Sequence, residues 1–115
     1  MVTLQRFEEL TREALDSLPA WVLERMENVE VMIEDEAPGG SRSLLGRYEG
    51  VPLTRRNSGY SGVMPDRIAL YRFNIERVSG PDEQALRSRI SHTVSHEVAH
   101  YFGISDDRLR EIGQY

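Results

Sequence analysis

The chain has 115 residues, a formal net charge of −5 and no cysteine. That length suits one domain, residues 1–115, with a single modest core, and the absence of cysteine excludes a disulfide framework and a thiolate metal site. An acid excess is a poor electrostatic match for a phosphate backbone, so no nucleic-acid partner is expected, and the cations at Arg55-Arg56 and at Arg108 and Arg110 read as solvated side chains.

The opening residues, Met1 to Glu9, carry neither a long apolar run nor a small-residue cleavage pattern. No segment approaches membrane-spanning length, and the expected compartment is cytoplasmic. Residues 4–17 predict an amphipathic helix, because Leu4, Phe7, Leu10, Ala14 and Leu18 recur at helical spacing while Glu8, Glu9, Arg12 and Glu13 fill the other face. Pro19 ends it and suits the first turn of a short second helix from Ala20 to Met26, with Trp21 expected in the core. Val29, Val31 and Ile33 alternate with Glu30, Met32 and Glu34, the period of a half-buried strand. Pro38-Gly39-Gly40 marks a loop, and Leu44 to Val51 predicts a weaker strand interrupted by Gly46 and Gly50. A stretch rich in Arg, Asn, Ser and Gly follows as a long loop, and Ile68 to Ile75 then predicts a stronger strand. Ser79-Gly80-Pro81-Asp82-Glu83 announces a helix near the C-terminus whose buried stripe is Leu86, Ile90, Val94 and Val98. Helices and strands in this order predict an α+β domain.

That helix carries the chemistry. His96-Glu97-Val98-Ala99-His100 is an H-E-x-x-H pattern, and the chain's three histidines all fall within nine residues of one another. Four residues separate His96 from His100, so both imidazoles share one helix face and can meet one Zn²⁺. Glu97 is rotated by roughly 100° from His96 on the helical repeat, which puts it beside the metal as a base for bound water. A catalytic zinc takes three protein ligands and one open position. Gly103 suits the left-handed residue that ends a helix, after which the chain can double back and bring Asp106 under the metal. Asp107 competes at the next position, and Glu111 could reach only if the following segment folded over the site. His92 lies eight residues from His100, about 12 Å along the axis, too far to share an ion with it.

His96 to Asp106, followed by Asp107-Arg108-Leu109, resembles the short zincin-like metallopeptidases of bacteria, with their H-E-x-x-H-x-x-G-x-x-D signature. Tyr48 to Leu53 and Arg67 to Arg72 are similar to that group as well, so the resemblance spans residues 25 to 115. It implies a trimmed zincin-like fold: a small three-to-four-stranded mixed sheet against two main helices, with the active-site helix near the C-terminus. It also implies a zinc metalloendopeptidase acting on a peptide or protein, with His96, His100 and Asp106 as metal ligands and Glu97 as the base. By the same resemblance, Leu44–Val51 is the candidate edge strand for pairing with extended substrate, a plain edge strand or part of a dimer contact being the alternatives. The chain departs from longer metzincins in having no methionine after the motif, all four (1, 26, 32 and 64) preceding it.

Two other readings share parts of this pattern. A metal-dependent endoribonuclease of the rRNA-maturation type also has His-x-x-x-His, but with glycine typical where Glu97 stands. A catalytically weak, zinc-containing peptide-binding module would keep the site without turnover. For an oxyanion-stabilising side chain, Tyr60, Tyr101 and Tyr115 are candidates by type alone.

Overall fold

The computed structural model describes residues 1–52, 54 and 65–113. Helix α1 (Leu4–Asp16) starts at Thr3, whose hydroxyl accepts the Arg6 N–H, and buries Phe7, Leu10, Thr11 and Ala14. Leu4, expected in that stripe, is 46% exposed, being only the first residue of the helix. Helix α2 (Ala20–Arg25) is six residues long and buries only Val22. Trp21 is therefore not a core residue, as its position in an apolar run suggested. It is 55% exposed and lies across the rim, against Phe102 and under the Arg25 guanidinium.

Three strands form the described sheet: β1 (Val29–Glu34), β2 (Gly46–Glu49) and β3 (Asp66–Tyr71), in the order β1-β3-β2. β1 runs parallel to β3, and β2 antiparallel to it, so the sheet is mixed as expected. β3 is central, and Ile68 to Tyr71 are all buried because both of its faces are covered. Ile68 and Leu70 face the main core with Phe7, Leu10, Ile75, Ile90 and Val94, while Ala69 and Tyr71 pack with Ala37 in a smaller cluster.

The strand expected to run to Ile75 stops at Tyr71, and α3 (Arg72–Ser79) follows at once. The reason lies in side chains the alternation does not weigh. Arg72 is clamped by the Asp35 carboxylate, and the Asn74 amide donates to the Ser41 and Leu44 carbonyls at 2.8 Å each. Those contacts turn the chain into a helix that still buries Ile75. The Arg-, Asn-, Ser- and Gly-rich stretch predicted as a long loop lies largely outside the described residues.

α4 (Glu83–Tyr101) is the longest element, capped by Asp82, whose carboxylate accepts the Gln84 N–H. Its predicted stripe, Leu86, Ile90, Val94 and Val98, is buried against α1 and the sheet. α5 (Asp106–Glu111) closes the described chain. No helix among the described residues is long and apolar enough to cross a membrane.

Candidate metal centre

The site forms where α4 passes beside β2, one of the two edge strands of the described sheet. Gly46 permits the approach. A Cβ there would lie 2.9 Å from Thr93 Cγ2, 3.0 Å from the Ala69 carbonyl oxygen and 3.4 Å from Glu97 Cγ. Glycine in a strand often marks such an approach of another element. The Tyr71 N–H donates to the Leu45 carbonyl, so the backbone of Leu45 faces β3 and, by alternation, those of Gly46 and Tyr48 face outward. The Tyr48 amide accordingly donates to the Glu97 carboxylate. Glu97 is only 7% exposed, and burial raises its pKa above the ordinary 4.5; the nearby His100 and the Tyr48 amide pull it down.

α4 ends as the glycine predicts. Gly103 has φ +86°, its N–H bonds to the His100 carbonyl, and Ile104 N–H bonds to that of Ala99. Ser105 then caps α5 by accepting the Arg108 N–H at 3.2 Å. This turn delivers Asp106, the first residue of α5, to the two histidines. Its Oδ1 lies 3.1 Å from His96 Nε2 and 2.9 Å from His100 Nε2.

The donor set fits a metal ion, on one observation in particular. His100 Nδ1 is 2.9 Å from the Ile104 carbonyl oxygen, which can only accept, so Nδ1 carries the ring proton. The Nε2 of a neutral ring then points a lone pair at a carboxylate oxygen. Two acceptors at that distance need a cation between or beside them, either a proton on Nε2 or a metal. Burial is the main reason the His96 imidazole sits below its ordinary 6.5, although the Asp106 hydrogen bond pulls the other way. A neutral His96 is the form that binds metal.

The donor atoms of His96, Glu97 and His100 also lie within 4.8 Å of one another, so distance alone admits Glu97 as third ligand. The contacts argue for Asp106 instead: one of its oxygens meets both Nε2 atoms, whereas Glu97 is engaged by the Tyr48 amide. Asp107 is directed at Arg110, 3.3 Å away, and Glu111 at Arg108, 3.0 Å away. Those two ion pairs also account for the arginines near the end of the chain. The His92 ring stands 6.3 Å from that of His96, one turn back. Tyr101 is fully buried, and its hydroxyl accepts the Glu27 N–H while facing the Arg25 and Glu27 carbonyls, a structural role. Tyr60 and Tyr115 lie outside the described residues.

Grooves open on both sides of the histidines. One of about 330 Å³ is lined by Leu44, Gly46, Arg89, His92, His96 and Glu97 among others. The second, about 360 Å³, is lined by Tyr48, Pro52, His100, Gly103, Ile104 and Asp106 with Ser105. Sequence reasoning overlooked the Tyr48 amide, the Ile104 carbonyl and Arg89. The glycine at 46 was the available signal for the first.

An H-E-x-x-H helix lying along an edge strand, with a carboxylate returned by a glycine turn, is the arrangement of a zincin. The family model for zincin-like metallopeptidases matches residues 26–115, and the chain belongs to that family. A conserved hypothetical protein from Thermo thermophilus has a similar solved structure, with a TM-score of 0.63 at 22% identity, over 88% of this chain and 94% of that one. That likeness concerns the fold. No curated protein matches the chain.

Proposed function

We propose that the protein is a zinc metalloendopeptidase in which His96, His100 and Asp106 hold the metal and Glu97 is the general base. The observation that carries the reading is the His100 ring, whose Nδ1 proton is committed to Ile104 while Nε2 faces Asp106. A zinc ion held there supplies a Lewis acid and a water acidified to a pKa of about 7.

The chain's own groups do the rest. Glu97 takes a proton from the attacking water and passes it to the departing amine, and its raised pKa brings it closer to that water than an ordinary carboxylate would be. The Tyr48 amide orients the carboxylate, which favours its role as base over that of ligand. An extended peptide adds to the outer edge of β2, where backbone groups face away from β3, with one half of the peptide over each groove.

The test is cleavage of unfolded casein and of a peptide library by zinc-loaded protein and by Glu97→Gln. The wild type should cut both, and the variant should retain its zinc while losing about two to four orders of magnitude in rate. Equal rates for the two proteins would refute the assigned base. Cleavage of RNA but not peptide would favour the ribonuclease chemistry instead, and full zinc occupancy with neither activity would favour a binding module.

A further inference from the structure

We infer that the groove on the Arg89 side selects substrates with an acidic side chain two to three residues past the cleaved bond. The inference rests on the peptidase reading and adds a substrate class to it. Arg89, His92 and His96 recur at helical spacing on α4 and line one groove with Glu97 and with Leu44 and Gly46 of the opposite wall. Among the described residues that line the two grooves, Arg89 is the only arginine; it is exposed and makes no ion pair with another described residue, whereas Arg87 on the same helix pairs with Glu13. The protein as a whole is acidic, so a free guanidinium at this place is a local reversal of sign.

Distance and direction set the position. Seven residues of helix separate Arg89 from His96, about 10 Å along the axis, and an extended peptide advances about 3.3 Å per residue. Three residues of substrate therefore span from the metal to Arg89, and the arginine's long stem also reaches the second. β2 runs from the Arg89 groove toward the Pro52 groove. A peptide pairing antiparallel with β2, the more stable ladder, thus lays its leaving-group half over Arg89. An acid immediately beside the cleaved bond would instead face the Glu97 and Asp106 carboxylates. The guanidinium's fork matches a carboxylate with two parallel hydrogen bonds.

The experiment uses peptides built on a sequence the zinc-loaded protein cleaves, C-terminally amidated, with Glu, Gln or Lys at the second or third position past the cut. Wild type should rank Glu above Gln above Lys in kcat/KM, with Glu over Lys by about five- to tenfold at low salt, shrinking as salt screens the pair. Arg89→Gln should flatten the ranking and Arg89→Glu should invert it. Affinities for zinc-loaded Glu97→Gln protein should follow the wild-type order, a readout independent of turnover. Cleavage without rank order, a ranking that survives Arg89→Glu, or selection of the acid on the acyl side overturns the inference and leaves the peptidase standing. A preference seen only with a free C-terminal carboxylate also overturns it. Failure of every peptide to be cleaved or bound overturns both.

Discussion

One oxygen of Asp106 faces two imidazole nitrogens at 3.1 and 2.9 Å, while the next residue, Asp107, turns its 90%-exposed side chain to Arg110. The two aspartates are neighbours in sequence but meet different partners. Asp106→Ala should cost zinc affinity by more than the roughly 10–100-fold that follows loss of a merely supporting partner. Asp107→Ala should leave zinc content near normal, and metal analysis of the two purified variants decides between them. If Asp107→Ala empties the site instead, the ligand is one residue further along. His96 offers a check on protonation. Because burial lowers its pKa, the metal-free ring should titrate below 6.5 in an NMR pH series, remaining neutral and fit for metal to lower pH than a free imidazole. A ring titrating above 6.5 would mean that the Asp106 hydrogen bond outweighs burial.

Among the elements, β2 and α4 matter most to each other, and Gly46 sets their separation. Gly46→Ala would drive a methyl group into Thr93, the Ala69 carbonyl and the stem of Glu97. We expect a loss of about 1–3 kcal/mol in stability, the usual cost of overpacking, together with reduced kcat/KM because the Glu97 carboxylate moves. Denaturant midpoints and peptide kinetics would record both, and a variant as stable and active as wild type would refute the packing argument. The helices were legible from sequence because their buried stripes repeat: Leu86, Ile90, Val94 and Val98 on α4, and Phe7, Leu10 and Ala14 on α1. β3 was legible only in part. A strand buried on both faces carries no alternation to mark its end, and the contacts that start α3 come from Asp35, Ser41 and Leu44, distant in sequence. Trp21 misled for a related reason, since an apolar residue on a six-residue helix has no guarantee of facing the core.

At the scale of the whole molecule, the motif was readable because helix geometry fixes His96 and His100 relative to each other. Asp106 was readable only through the glycine turn, which fixes its direction more loosely. What the sequence signalled only through the glycine at 46 is the meeting of α4 with the β2 edge, which gives Glu97 its amide partner and divides the surface into two grooves. The parts of the fold are not equally well held. α1, α3 and α4 share one core with β3, whereas α5 has six residues and a single buried side chain, Leu109. A helix that short does not persist in isolation. Asp106 stands at its first turn, so a metal bound to His96, His100 and Asp106 would also clasp α5 to α4. Amide hydrogen exchange should then be fast in α5 without zinc and slowed by adding it, while α1 and the buried half of α4 exchange alike in both states. Catalytic competence and the local folding of six residues would be one equilibrium, and the protein would assemble its own active site only as far as its metal supply allows.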